Sequence, residues 1–218
     1  GLRTGTAGIE GVVWTRAGQT WTKHVDLDPS LVSSPDRVVG FTALGRLGDR
    51  LVVAGDELGL AGGLNQRPSV WAGTAEGPWT QVLLPIPAEL APVAGQLSRA
   101  TSVACDDAAG CWVTGWVRGR PVVWAVGIAA EGEVSVGQAT VLPGTPAPGA
   151  DPDALLTLVA GRPVVLTGAA APTLQLGCPD GWRSLAAPTG TATVLHAAAG
   201  GLYAITGDGL QRLDPPRC

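Results

Sequence analysis

Basic residues, reactive side chains and long apolar runs are all scarce in this chain, and each scarcity removes a class of function. A single lysine, Lys23, stands beside thirteen arginines, and the formal net charge is −4. That balance offers no basic surface for nucleic acid or anionic lipid. No apolar run approaches the roughly 18 residues needed to cross a bilayer as a helix. Only two histidines occur, His24 and His196, and no Gly-x-Ser-x-Gly elbow accompanies either, so a serine or cysteine hydrolase lacks the expected setting for its base and nucleophile. His196, within Val194-Leu195-His196-Ala197, is expected to be a hydrogen-bonded core residue. Methionine is absent and the chain opens on Gly1, which predicts a processed product that has lost a leader or membrane anchor.

Glycine and proline, by contrast, are abundant at 32 and 18 residues. Disorder is excluded because 45% of residues are apolar and 15% charged, the reverse of the balance that prevents folding. The Gly and Pro therefore punctuate many short strands. Arginine over lysine, with heavy use of Ala, Gly, Val and Pro, is similar to the coding bias of a GC-rich bacterial genome, such as an actinobacterium's.

A repeat of about fifty residues organises the chain. Val12-Val13-Trp14, a turn at Gly18 and Thr20-Trp21-Thr22-Lys23 are echoed by Ser69-Val70-Trp71, Glu76-Gly77 and Pro78-Trp79-Thr80-Gln81. Val122-Val123-Trp124 begins a third copy, and Leu174-Gln175-Leu176, Asp180-Gly181 and Trp182-Arg183-Ser184 form a weaker fourth. Repeats of this length made of four strands predict an all-β protein, a β-propeller of about four to five four-stranded blades. The expected blade segments of this single 1–218 domain are 37–85, 99–142, 154–187, and 193–213 together with 11–26. The last pairing predicts a ring closed by N- and C-terminal strands sharing one blade. Residues 56–68 and 128–133 are expected as long rim loops, and 143–152 as a linker between blades.

Four cysteines carry information about compartment. Cys105 and Cys111 bracket the turn-rich segment Asp106–Gly110, which lets them face each other across a hairpin. Cys178 and Cys218 then remain to pair. Of the three connectivities open to four cysteines this one is preferred. The spacings contain no Cys-x-x-Cys pair and no metal is expected. An even, non-metal cysteine set predicts an oxidising, extracytoplasmic setting, either secreted or at the cell surface.

The turn Gly18-Gln19-Thr20-Trp21 resembles the second half of the Asp-box, Ser-x-Asp-x-Gly-x-Thr-Trp, of sialidase-like and related secreted propellers. Arg16 stands where the Asp belongs and Trp14 where the Ser belongs. The resemblance covers three turns, extending to Gly77-Pro78-Trp79 and Asp180-Gly181-Trp182, and implies fold rather than activity. Sialidase chemistry would require a tyrosine nucleophile, and Tyr203, the one tyrosine, is expected as a blade residue.

The remaining candidates are weaker. Asp56-Glu57 and Asp106-Asp107 are expected as solvated loop charges, since neighbours on a strand point to opposite faces and form no carboxylate pair. Most of the eight tryptophans occupy equivalent blade positions and are expected to pack between blades. Trp112 and Trp116 share a strand face, with Arg118 next on it, and form a candidate ligand-binding platform. The resulting expectation is a non-catalytic module of a bacterial envelope assembly, without cofactor, whose partner is another protein or envelope component. A carbohydrate-binding propeller is the alternative, and a sialidase- or glycosidase-like enzyme the third reading.

Overall fold

The computed structural model describes residues 2–5, 8–24, 28–60, 65–90, 97–144, 154–168, 172–198, 201–214 and 217–218. Among these residues the regular structure is entirely β apart from one 3-10 turn at Pro29–Leu31, and no helix is long and apolar enough to cross a membrane. Two N-terminal hairpins come first: β1 (Leu2–Gly5) pairs with β2 (Gly8–Gly11), and β3 (Val13–Ala17) with β4 (Thr20–His24). Sheet I follows, with β5 (Arg37–Leu47), β6 (Arg50–Gly59), β7 (Asn65–Gly73) and β8 (Trp79–Leu83) paired in chain order. Sheet II contains β9 (Ser98–Asp106), β10 (Gly110–Val117), β11 (Arg120–Ile128) and β12 (Val134–Val136), with β13 (Thr140–Val141) also on β11. Sheet III is β14 (Ala154–Val159), β15 (Arg162–Thr167), β16 (Thr173–Cys178) and β17 (Gly181–Leu185), and sheet IV is β18 (Ala192–Ala198), β19 (Gly201–Thr206) and β20 (Gly209–Leu213). Every pairing is antiparallel and, apart from β11 with β13, joins sequence neighbours, the arrangement that short Gly-rich turns permit.

The sheets stack in series. The first strand of each lies against the first strand of the next, β5 against β9, β9 against β14 and β14 against β18, while β2 lies against β5. Strand alternation therefore gives each sheet a backward face toward its predecessor and a forward face toward its successor. Val52 and Ala54 on the forward face of sheet I pack with Val113, Val117 and Trp124 of sheet II. Val123 of sheet II shares a core with Leu156 and Val165 of sheet III. Val164, Leu166, Leu174 and Leu176 of sheet III pack with Leu195, Leu202 and Ala204 of sheet IV.

A second repeated device fastens the connections. Trp71 and Trp124, at equivalent third-strand positions, are fully buried. Trp71 Nε1 donates to Ser30 O (3.0 Å) and Trp124 Nε1 to Pro85 O (2.8 Å), so each indole ties down the segment that enters its own sheet. The third equivalent, Trp14, is 50% exposed, because no sheet lies beyond the outer face of β3–β4 among the described residues.

Two disulfides are present, Cys105–Cys111 and Cys178–Cys218, compatible with an oxidising compartment. The first joins directly opposed residues of β9 and β10. The second ties the C-terminus back to the β16–β17 hairpin of sheet III.

Three expectations need correction. The C-terminal strands form their own three-stranded sheet and β3–β4 a separate hairpin, so the described residues share no sheet between the two ends. Residues 56–59 and 65–68 are strand rather than loop, because β6 pairs with both neighbours as far as Gly59; residues 61–64 lie outside the described residues, as does most of the 143–152 linker. The 99–142 segment, expected as one four-stranded blade, has its last strand split into β12 and β13, both on β11, with Gly137 N donating to Ala125 O (2.8 Å) between them.

Candidate functional site

The proposed platform of Trp112, Trp116 and Arg118 does not form an open surface. Trp112 is half-buried and meets Trp182 of sheet III edge to face, with ring centroids 6.4 Å apart. Trp116 is 1% exposed, and its Nε1 has no hydrogen-bond partner among the described residues. Arg118 has left the strand: φ is 52° there and 75° at Gly119, the positive pair of a type I′ hairpin turn. Alternation stops at such a turn, so the face shared by Trp112 and Trp116 does not continue to Arg118.

The acidic pairs are structural as well. Asp56 is on β6, 9% exposed, and accepts from Gln66 Nε2 (2.8 Å). Burial pushes its carboxyl above the ordinary value, against the opposing effects of the Gln66 bond and the Arg99 charge. It is therefore no solvated loop charge. Glu57 points to the other face and meets Arg37 (3.3 Å) and Gln81 (2.9 Å). Asp106 Oδ1 accepts from Ala108 N and Ala109 N, and Asp107 Oδ1 from Gly48 N of sheet I. His196 is exposed rather than core, because its strand position faces away from sheet III. His24 Nε2 lies 2.8 Å from Thr15 Oγ1, and Tyr203 is opposite His196. Among the described residues no three His, Cys, Asp or Glu side chains gather as a metal site.

An apolar cleft of about 720 Å³ lies on the backward face of sheet I. It exists because β2 and β3 cover that face only in part. Val13 points inward from β3, Leu31 comes from the 3-10 turn that Asp28 caps through Ser30 N (2.8 Å), and Phe41 meets Trp71 edge to face at 4.9 Å. Gly11 permits this approach, since a Cβ there would lie 3.1 Å from the Phe41 ring. A bulge between Phe41 and Ala43 shifts the register of β5, which puts Leu44 into the cleft, 63% exposed. Leu51 and Val53 complete the apolar floor. Alternation along β5 could have found this feature, but the bulge reverses the phase after Phe41.

The wall toward solvent is the β3–β4 hairpin. Its outer face alternates cation and indole, with Lys23 over Trp14 at 5.6 Å and Arg16 over Trp21 at 5.7 Å, each pair directly cross-strand. Gly18 supplies the turn with φ 61°, and Arg16 Nε donates to Gly18 O (2.8 Å). Arg46 Nε repeats this bond to Gly48 O (2.7 Å) in the β5–β6 turn. At the position where an Asp-box carries its aspartate, this chain thus closes the turn with an arginine. No family model matches the chain, and no curated protein matches it.

Proposed function

We propose that this chain is a non-catalytic interaction module of an extracytoplasmic assembly, with its sheets arranged as the blades of a propeller-type domain. The single observation that carries the interaction reading is the apolar cleft on sheet I, where Phe41, Leu44, Leu51 and Val53 form a largely apolar surface open to solvent. Exposed contiguous apolar surface of this kind suits a partner protein. The blade arrangement is supported by the four-sheet series with first strands adjacent, and the compartment by the two disulfides.

The test uses the chain as bait against the envelope and secreted fractions of its source, with Leu44→Arg in parallel. A stoichiometric protein partner lost in Leu44→Arg supports the reading. Partners retained equally by both baits, or none, overturn it. The exposure of Trp14 and Trp21, 50% and 59%, favours a carbohydrate-binding reading as second choice, and glycan-array binding abolished by Trp21→Ala would establish that instead.

A further inference from the structure

A threonine recurs at the bulge in the first strands of sheets I, II and IV, and its bonds reveal an interface half left open. Thr42, Thr101 and Thr193 each sit where the register shifts or skips a residue. Each hydroxyl bonds a second-strand carbonyl of its own sheet: Ala54 O (3.0 Å), Thr114 O (3.4 Å) and Ile205 O (3.4 Å). Thr42 and Thr101 also reach the first strand of the following sheet, at Ala100 O (2.7 Å) and Ala154 O (3.2 Å). Thr193 has no such acceptor among the described residues.

The residues that carry these carbonyls face forward and tell the same story. Ala54 and Thr114 are 0% exposed, covered by the next sheet, whereas their equivalent Ile205 is 45% exposed. Val194 (43%) and Leu210 (70%) lie directly opposite Ile205 on either side, giving an apolar row across all three strands of sheet IV. At the other end of the series the backward face is open in the same manner. Trp71 and Trp124 are covered there, and their equivalent Trp14 is not.

We propose that the forward face of sheet IV binds the outer face of the β3–β4 hairpin of a second copy of this chain. Each internal junction joins a forward face to a backward face, and these two are the unmatched halves of that junction, so a head-to-tail contact continues an interface the chain already makes three times. The second copy's Trp14 and Trp21 would cover Val194, Ile205 and Leu210. Charge is compatible with this: Arg16 and Lys23 line one half, and Asp208 and Asp214 flank the other at the ends of β20. Arg212 is also on the sheet IV face, opposite Tyr203, so it must sit beside an indole rather than Lys23. The proposal rests on reading the chain as an interaction module but uses sheet IV and the outer face of the hairpin, of which Trp14 also lines the sheet I cleft and Trp21 does not.

Sedimentation velocity of the full chain from about 1 to about 200 μM tests it, a range that registers micromolar association. The expected result is concentration-dependent association, weakened about tenfold or more by Ile205→Lys and equally by Trp21→Lys. Because the contact is heterologous, an equimolar mixture of the two variants should associate again, each supplying the face the other lacks. A monomer at every concentration, as intrachain closure or a foreign partner at these faces would give, overturns the proposal. So does self-association that survives both substitutions, or variants that fail to complement. Circular dichroism of both variants confirms folding, and capture of a partner through the sheet I cleft by a monomeric chain would leave the proposed function standing while this inference fell.

Discussion

Replacing the three bulge threonines by valine measures what a side-chain bond between successive sheets contributes. Valine keeps the β-branched shape and exchanges the hydroxyl for a methyl, so any gain in strand preference is common to all three sites and cancels in their differences. Thr42 bonds two carbonyls, one on the neighbouring sheet at 2.7 Å. A net intramolecular hydrogen bond is worth about 1 kcal/mol, and the side chain is solvent-exposed enough for water to recover part of the loss, so Thr42→Val should cost about 1.5 kcal/mol. Thr101 also bridges two sheets, at 3.2 and 3.4 Å, and weaker geometry brings its cost to about 1 kcal/mol. Thr193 has one exposed 3.4 Å bond within its own sheet, and its replacement should cost less than about 0.5 kcal/mol. Urea unfolding followed by tryptophan fluorescence, at dilution low enough to suppress association, supplies the three values, provided the m-value is unchanged. A Thr193→Val cost equal to or above that of Thr42→Val would refute the reasoning, because the inter-sheet bond is what distinguishes them.

The other predictions concern the disulfides, the repeated tryptophan and Asp56. Removing Cys178–Cys218 with paired alanines should cost about 4 kcal/mol on the chain-entropy model, since the bond closes a separation of 40 residues, against about 2 kcal/mol for the 6-residue Cys105–Cys111 separation; denaturant midpoints compare the two. Trp124→Ala should cost about 3–5 kcal/mol and Trp14→Ala under about 1 kcal/mol, despite their equivalent repeat positions, because only the first empties a buried site; the same unfolding assay decides. The folded-state pKa of Asp56 lies above its unfolded value of 3.8, so the folded state binds the proton more tightly and stability falls as pH rises through the folded pKa. Asp56→Asn should therefore raise the thermal midpoint at pH 7 and lose that advantage below pH 3.8, as calorimetry over the pH range will record.

What the sequence made legible is whatever is decided within a few residues. Cys105 and Cys111 bracket a hairpin whose turn residues are adjacent in the chain, and their cross-strand pairing follows from that. The copies around Trp71 and Trp124 mark third strands because pattern and turn agree locally, and the copy around Trp14 marks the first strand of a separate hairpin. Burial was legible only where the neighbouring sheet happened to follow the repeat. His196 alternates like a core residue, yet its face looks away from sheet III. Asp56 has the composition of a loop, yet β5 and β7 both extend far enough to hold it in a ladder. The sheet I cleft depends on a bulge at Thr42 and on how little of a face two short strands cover, and neither is written as a periodicity.

The composition of the two end faces is the remaining argument about function. In a stack of repeats each unit is stabilised by its neighbours, and terminal units of a soluble array ordinarily present polar outer faces. Among the described residues the two outer faces of this series are apolar instead. Its N-terminal face has two tryptophans more than half exposed or nearly so, and its C-terminal face has Val194, Ile205 and Leu210 in one row. Leaving them uncovered would invite nonspecific association, which natural sheets resist with charge at such positions. Arg16 and Lys23 lie over the indoles without hiding them, and Arg212 stands beside the apolar row without interrupting it. The interior sheets meet the opposite demand, since Ala54, Thr114 and Trp124 are sealed at positions equivalent to the exposed ones. The junctions between sheets I to IV are sealed while both outer faces of the described series and the cleft on sheet I leave apolar side chains open to solvent, and it is on that contrast that the proposed contacts rest.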